Sequence, residues 1–445
     1  MSAIFAQPLQ TALQPTELLP LTPTLPLPTC RVCVGVPIRN EAEHLPALVK
    51  ALAHQVDERG QPLDPASYEV LILANNCSDN SAAIAWALGQ KYPALNLQVI
   101  EVTLPQPQAH VGQARRLVLN EAYRRLSLLA DHPLRQASRD RRLIASTDGD
   151  TEVAANWLSS LLNEFDQGVD AICGRILTRR TPDLGTPAKT SLYFLRYMAH
   201  RYFTAQLEAL LDPLPHDRWP RHYQHFGANL AVSAALYGQV GGVPLVPEQE
   251  DVALYHKLQQ VDAKIRHSPH VRVITSARRL GRTGGGLAAR LNQLTQASRE
   301  QKAIWVESPR LTEARILLRR QLRQCWAALR QNPSEEGAKL RLNPIATSLG
   351  LPEAQLRQQI KTALTFGLLL EAIETDQKKR LDVSMWQSAT TEISHANMHL
   401  RQRLQSLRQP WIAPVEAIPS VSRSAYPLLE TLKQIQPIPL FSLTY

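Results

Sequence analysis

The chain has 445 residues, 44% hydrophobic and 20% charged, and this composition is typical of a globular protein with two or three domains. The sequence contains no run of about 18 apolar residues, so it predicts no membrane-spanning helix and leaves peripheral membrane contact open. The net charge of +10 favours anionic partners such as nucleotides. Five cysteines and the lack of a basic, apolar leader predict a soluble, cytoplasmic protein with reduced thiols.

The first 30 residues contain six prolines and little charge, which predicts an extended, irregular leader over 1–30. From residue 31 onward, short apolar runs alternate with segments of helical character. The runs that predict strands are 32–36, 69–73, 97–102, 143–147, 170–175 and 270–274. Strands separated by helices predict an α/β fold with a mostly parallel sheet and helices on both faces.

The character of the chain changes after the glycines at 284–286. Beyond them, apolar residues recur every three or four positions, which predicts helices. The clearest stripe consists of Leu311, Ala314, Leu318, Leu322, Cys325 and Leu329. We therefore expect an α/β domain over 31–285, followed over 286–445 by a mainly helical region that serves as a lid, an acceptor platform or an interaction surface.

Polar loops follow four of the predicted strands. In an open parallel sheet, ligands bind at the carboxyl ends of the strands, where such loops meet. These loops are 37–41, 74–79, 112–116 and 148–150. The second offers amide groups that can read a base, and the third places Arg115 near a helix start, where a cation suits a nucleotide phosphate.

Asp148-Gly149-Asp150 ends the fourth strand. Mg²⁺ commonly enters protein sites through one or two carboxylates and the phosphate oxygens of a substrate, so this pair suits a metal-bound diphosphate. The alternative is a surface Asp-Gly-Asp turn without a ligand.

Two further segments contain residues suited to catalysis or to ligand binding. Glu250-Asp251 precedes an apolar helical run, so the pair is either catalytic or a favourable acidic helix start, and both readings can hold together. The segment 278–286 joins arginines to glycines. From it we expect Arg279 and Arg282 to close on a diphosphate, and an interdomain linker is the alternative.

The order of these motifs resembles the family-2 glycosyltransferases, which have the GT-A fold, over roughly residues 31–286. Segments 36–41 and 75–79 are similar to the donor-base loops of the family, and Asp148-Gly149-Asp150 is similar to its DXD metal motif. Segment 226–231 resembles an acceptor-side loop, and 249–252 resembles the late ED motif. The membrane helices and the QxxRW-type motif of processive synthases do not occur in this sequence.

The resemblance implies an inverting transfer of a single sugar from a nucleotide-sugar, with Mg²⁺ or Mn²⁺ as cofactor. It implies Asp150 as a metal ligand, Asp148 as a contact of the metal or ribose, and Asp251 as the catalytic base supported by Glu250. The other donor-side residues that we expect are Pro37, Arg39, Glu41, Asn75 and Arg115, and the acceptor-side residues are Gly227, Ala228 and Asn229. A UDP-sugar is favoured, although Ala74 and Asn75 stand where the family commonly has an acidic pair. The acceptor is not identified, and His267 or His270 is a candidate third metal ligand.

The two alternative functions are a nucleotidyltransferase and a nucleic-acid-binding protein. A nucleotidyltransferase would place a Gly-rich basic loop after the first strand, and the loop 37–41 contains no glycine. Segment 345–356 resembles a helix-turn-helix, but the following helix is only modestly basic, so nucleic-acid binding is not favoured.

Overall fold

The computed structural model describes residues 12–129, 141–179, 188–276, 287–332, 336–380, 389–408 and 437–442. The chain divides into two compact units. The first comprises 1–185, 220–259 and 263–292, and the second comprises 186–219, 260–262 and 293–445. The predicted fold class is confirmed: a mostly parallel sheet flanked by helices is followed by a mainly helical C-terminal region.

In the described parts of the chain, the first unit is built on a sheet of eight strands. They are β1 (Val32–Ile38), β2 (Tyr68–Asn75), β3 (Leu97–Val102), β4 (Leu143–Ser146), β5 (Thr151–Val153), β6 (Ala171–Thr178), β7 (Leu230–Ser233) and β8 (Ile265–Thr275). Their order across the sheet is β3-β2-β1-β4-β7-β6-β8-β5. The first four in this order are parallel, whereas β7 runs antiparallel to both β4 and β6. Every residue of β1 and β2 is buried, as expected for central strands covered on both faces.

The helices are numbered in chain order. They are α1 (Leu45–Ala53), α2 (Ser81–Lys91), α3 (Val111–Leu128), α4 (Trp157–Asp166), α5 (Ala188–Leu211), α6 (Ala234–Gln239), α7 (Glu250–Gln260), α8 (Leu287–Arg299), α9 (Pro309–Gln331), α10 (Glu336–Leu349), α11 (Glu353–Thr362), α12 (Phe366–Arg380) and α13 (Ile393–Arg408). In the parts of the chain that the structure describes, none of the helices combines the length and apolarity needed to cross a bilayer.

Helix α3 packs closely on β1. A Cβ atom at Gly35 in β1 would lie 2.5 Å from Leu119 Cδ2 of α3, so a larger residue here would have to displace the Leu119 side chain. The close packing fixes the start of α3, and with it Arg115, at the carboxyl end of the central strands.

The described part of the leader is irregular apart from one short helical turn, Pro15–Glu17. It is nevertheless bonded to the sheet unit. Thr22 donates to Glu121 at 2.6 Å and accepts a hydrogen bond from Arg125 at 2.6 Å. Arg125 in turn forms a two-point ion pair with Glu69 in β2, at 2.9 and 2.6 Å, and both side chains are fully buried. Such a buried pair is tolerated because each charge has its partner.

The second unit contains the predicted apolar stripe. On α9, the residues Leu311, Ala314, Leu318, Leu322 and Cys325 are buried in one core, and Leu329 packs against that core. The segment resembling a helix-turn-helix comprises the end of α10, a turn at Gly350 with φ of +68°, and the start of α11. Glycine suits this turn because its backbone lies in the left-handed region. A short antiparallel pair, β9 (Trp305–Glu307) and β10 (Thr390–Glu392), was not predicted.

Candidate functional site

The loops that follow β1 and β2 are bonded to each other, as expected for neighbouring parallel strands. The Asn40 side chain accepts a hydrogen bond from the Ser78 amide at 2.8 Å and donates to the Ser78 hydroxyl at 3.0 Å. The backbone amide of Glu41 donates to Ser81 Oγ at 2.7 Å. Asn40 has a φ of +56°, which asparagine adopts more readily than most residues. The two predicted donor-base loops therefore form one surface.

Two buried polar atoms near the ends of β2 and β4 have no hydrogen bond from the described residues. One is Oδ1 of Asn75, at the end of β2, and the other is Oγ1 of Thr147, directly after β4. Both residues are almost completely buried. Leaving such an acceptor unsatisfied costs about 1–3 kcal/mol, so these atoms are suited to accept hydrogen bonds from a ligand.

The other predicted donor-side residues lie at the same carboxyl edge. Pro37 belongs to β1, where it pairs with Leu73 of β2. Arg39 donates from Nη1 to the carbonyl of Ala109 at 3.2 Å. Glu41 is buried, with Oε2 3.4 Å from His44 Nδ1.

Asp148-Gly149-Asp150 forms a tight turn between β4 and β5. The amide of Thr151 donates to the carbonyl of Asp148 at 3.1 Å, and Thr275 Oγ1 lies 3.4 Å from Asp150 Oδ1. A Cβ atom at Gly149 would lie 2.7 Å from Ile38 Cγ2 and 2.9 Å from Glu41 Cγ. The turn therefore packs closely against the end of β1 and the loop after it, and a side chain between the two aspartates would have to displace Ile38 or Glu41.

Arg115 lies at the centre of the site. Its buried guanidinium donates to Asp148 at 2.8 Å, to Glu250 at 2.8 Å, and to two further groups, Ser146 Oγ at 2.6 Å and the Gly227 carbonyl at 3.2 Å. Four of its five N–H groups thus have protein partners. From the sequence, Arg115 was predicted to contact a nucleotide phosphate. Its bonds to four protein groups were not predicted.

The charges of Arg115 and of the carboxylates around it stabilise one another. Burial alone would lower the pKa of Arg115, but three carboxylates, with Asp148 the strongest, raise it above its ordinary value. Burial raises the pKa of Glu250, the charge of Arg115 opposes that rise, and Asp251 adds to it. Arg115 therefore remains a cation, and it is the group that stabilises the charged form of Glu250.

Asp251 is held by backbone amides. Its Oδ2 accepts a hydrogen bond from Gly227 N at 2.6 Å, and its Oδ1 accepts one from Val252 N at 2.8 Å. Glu250 and Asp251 also form the first turn of α7, so the acidic helix start is present as well. The structure thus brings the predicted acidic pair and the predicted acceptor-side loop together.

Gly227, Ala228 and Asn229 form a buried helical turn directly before β7. A Cβ atom at Gly227 would lie 2.7 Å from Arg115 Cζ, so this position also requires glycine. The side chain of Asn229 accepts from Trp157 Nε1 at 2.9 Å and donates to the carbonyls of Val271 and Arg175. Through these bonds Asn229 connects α4, β6 and β8. This structural role was not predicted from the sequence.

The remaining predicted residues are two arginines and two histidines. Arg279 and Arg282 lie outside the described residues. His267 is buried, with Nε2 3.2 Å from the Tyr255 hydroxyl, whereas His270 is exposed. Among the described residues, no group of three or more His, Cys, Asp or Glu side chains is arranged to hold a metal ion. The hard oxygen ligands at the turn are those of Asp148 and Asp150.

Residues 33–220 match the family model described as glycosyl transferase family 2, which points to a glycosyltransferase. The resemblance predicted from the motifs is confirmed. No curated protein sequence matches the chain.

Three solved structures illustrate the similarity. TarS 1–349 of S. aureus in complex with UDP-GlcNAc is 13% identical with a TM-score of 0.38, and the match covers 79% of this chain and 91% of TarS 1–349. The mannosyltransferase PcManGT from Pyrobaculum calidifontis, in complex with GDP-Man and Mn²⁺, is 15% identical with a TM-score of 0.36, covering 92% and 86%. Glucosyl-3-phosphoglycerate synthase from Mycobacterium tuberculosis, in complex with phosphoglyceric acid, is 16% identical with a TM-score of 0.32, covering 62% and 81%.

Proposed function

We propose that this glycosyltransferase moves one sugar from a nucleotide-sugar to an acceptor hydroxyl, with a divalent metal and with inversion at the anomeric carbon. The observation that carries the proposal is the buried guanidinium of Arg115, which bonds to both Asp148 and Glu250. It joins the Asp-Gly-Asp turn to the Glu-Asp pair, so a diphosphate anchor and a candidate base belong to one site.

We propose a UDP-sugar as donor. The support is the unsatisfied, buried Oδ1 of Asn75 at the end of β2. Uracil carries an N–H donor at its ring edge, and a carboxamide oxygen can accept a hydrogen bond from it. Pro37, Arg39 and Glu41 at the neighbouring end of β1 would complete the nucleoside pocket.

Asp148 and Asp150 would hold Mg²⁺ or Mn²⁺. The donor set fits, because carboxylate oxygens are the ligands that these ions prefer and the Asp148 side chain is one-third exposed. When bound, the metal neutralises the charge that develops on the departing nucleoside diphosphate. We propose Arg279 and Arg282 as additional diphosphate contacts.

We propose Asp251 as the general base. Its carboxylate accepts the proton of the acceptor hydroxyl while the acceptor oxygen bonds to the anomeric carbon, and the bond from that carbon to the diphosphate breaks on the opposite face. This single displacement inverts the anomeric configuration. The amide of Gly227 at 2.6 Å from Oδ2 fixes the orientation of the carboxylate, and Glu250 supports it through Arg115.

The cytoplasm is the proposed location, supported by five thinly spread cysteines that form no disulfide with one another. The function is tested by a thermal-unfolding screen of UDP-, GDP- and dTDP-sugars with and without Mn²⁺, because a ligand of the native state must raise its stability. We expect the UDP-sugars to raise the Tm only when Mn²⁺ is present. A GDP- or dTDP-sugar giving the larger shift would overturn the UDP assignment, and no shift with any donor would overturn the proposed function.

A further inference from the structure

The loop 240–249 leads from the end of α6 to the Glu-Asp pair at the start of α7, and we call it the base loop. Its first half, 240–244, is buried, whereas most residues of 245–249 are exposed. Gln249, directly before Glu250, has a φ of +59°, which a glutamine keeps only where the surrounding structure imposes it. Because burial does not hold the second half of the loop, the position of the Glu-Asp pair depends on the contacts that fix the loop.

Three carbonyl groups at the beginning of the base loop are bonded to two cationic side chains. Arg116 of α3 donates from Nη1 to the carbonyl of Gly241 at 3.3 Å and also to the carbonyl of Val243. Lys257 of α7 donates to the carbonyl of Val240 at 3.0 Å. Buried carbonyl groups require donors, and a charged donor forms the stronger hydrogen bond. The two cations therefore connect the beginning of the base loop to α3 and α7.

The first turns of α3 fix the base loop at its beginning, middle and end. Arg116 bonds to the beginning of the loop, as described above. In the middle, a Cβ atom at Gly112 would overlap the carbonyl oxygen of Val246, so the backbones of α3 and the loop are in close contact. At the end, Arg115 donates to Glu250 at 2.8 Å. A single helix thus sets the path of the loop to the candidate base.

We propose that Arg116 is a positioning residue for the candidate base, Asp251, and that it acts through the base loop and not on a ligand. With its beginning bonded to Arg116, the loop ends where Glu250 meets Arg115 and where Asp251 accepts from the Gly227 amide at 2.6 Å. A misplacement of a catalytic group by about 1 Å can cost about 10²-fold in rate. This inference rests on the proposed function, because that function makes Asp251 the base.

The first test requires no donor. Amide hydrogen exchange is followed residue by residue on the whole protein, with the Gly227 amide as reporter because it donates to Asp251. We expect Arg116→Met to exchange this amide at least fivefold faster than wild type, while the amide of Val34 in β1 keeps its rate. Arg116→Gln, which keeps a neutral donor of shorter reach, is a second variant with the same expected direction.

Arg124→Met is the matched control for hydrogen exchange. Arg124 also lies on α3, but it bonds to Glu121 at 2.8 Å and not to the base loop. We expect this control to leave the Gly227 amide unchanged relative to Val34. Unchanged exchange of the Gly227 amide in both Arg116 variants, or an equal rise at Gly227 and Val34, would overturn the positioning role.

The second test uses kinetics and separates this inference from the proposed function. With a nucleotide-sugar that stabilises the protein, we expect Arg116→Met to lower the kcat of transfer at least tenfold and to change the Kd of the donor less than twofold. A raised donor Kd with an unchanged kcat would make Arg116 a ligand contact and overturn the inference. If wild type neither binds nor hydrolyses any nucleotide-sugar, the proposed function fails, and hydrogen exchange still decides whether Arg116 positions Asp251.

Discussion

Arg115 donates its Nε hydrogen to Glu250 at 2.8 Å while the same guanidinium donates from Nη2 to Asp148, also at 2.8 Å. The two carboxylates belong to segments that are distant along the chain, one after β4 and the other at the start of α7. A planar guanidinium can bond to several groups in fixed directions, which a lysine ammonium does not reproduce. Arg115 is therefore a positioning residue for both halves of the candidate site.

Replacing Arg115 tests this relationship by stability and by activity. Arg115→Met would leave Glu250 buried without its cation, and we expect a loss of about 3–5 kcal/mol in the free energy of unfolding. Arg115→Lys keeps the charge but not the geometry, so we expect sugar transfer to fall at least tenfold while donor binding survives. Chemical unfolding and steady-state kinetics measure the two effects.

A double-mutant cycle distinguishes the charge pair from general damage to the core. Because the cost of Arg115→Met arises partly from the unpaired Glu250, adding Glu250→Gln should recover about 1 kcal/mol or more. Strict additivity of the two substitutions would show that Arg115 and Glu250 do not stabilise each other.

Asp251→Asn separates binding from chemistry. The asparagine oxygen can still accept from the Gly227 amide, but the side chain no longer takes a proton, so we expect kcat to fall about 10²- to 10⁴-fold with little change in the Kd of UDP. Kinetics and isothermal titration calorimetry measure these quantities. Asp166→Asn, at an exposed aspartate paired with Arg31, is the control. Full activity of Asp251→Asn would remove Asp251 as the base.

Asp150→Ala tests the metal role. Because a hard carboxylate ligand is removed, we expect the stimulation of UDP binding by Mn²⁺ to fall at least tenfold and transfer to collapse. Calorimetric titration of UDP with and without Mn²⁺ gives the comparison. Transfer by wild type at an undiminished rate in excess EDTA would contradict metal dependence.

Gly227→Ala tests the close approach of the acceptor-side loop to Arg115. The new methyl group would lie 2.7 Å from Arg115 Cζ, so we expect a loss of about 1–3 kcal/mol in stability and a fall in activity. Gly89→Ala on α2 is a matched control, since its nearest contact would be 3.6 Å. Because alanine has the higher helix propensity, that control should be neutral or stabilising by up to about 1 kcal/mol. Thermal unfolding of both variants measures the change in stability. An unchanged stability of Gly227→Ala would contradict the predicted clash with Arg115.

The pH dependence of stability should reveal the lowered pKa of Lys257. Its ammonium group donates to the Val240 carbonyl at 3.0 Å. Burial, reinforced by the charge of Arg116, lowers its pKa to about 8 from an ordinary 10.5. Between these values the unfolded chain binds more protons than the folded one, so stability rises with pH, by at most about 1.4 kcal/mol per unit. Below pH 8 the full cost of the buried charge remains.

Comparison of Lys257→Met with wild type across pH 7.5 to 10.5 isolates this effect. We expect the difference in the free energy of unfolding between wild type and Lys257→Met to change with pH over this range. Parallel pH profiles of wild type and Lys257→Met would contradict the shifted pKa.

The first four strands and the helices between them could be predicted from sequence, because each is a local apolar pattern bounded by polar loops. Strand β8 was predicted only from 270 onward. Its first half includes Arg266, His267 and Ser268, which are buried although polar. Arg266 and Ser268 are accommodated by Glu164 of α4, at 3.4 and 2.6 Å, and such a partner is invisible to a local pattern.

The sequence by itself determined the fold class, the family resemblance and the positions of the polar loops at the carboxyl ends of the strands. Local periodicity and short motifs are sufficient for these features, since they depend on residues close together in the chain. Only the tertiary structure decided that Arg115 bonds to Asp148 and Glu250, that Asn229 bonds to Trp157, and that the Gly227 amide bonds to Asp251. These relationships join residues that are remote in sequence, and the partner of a buried polar group is fixed by how the elements pack.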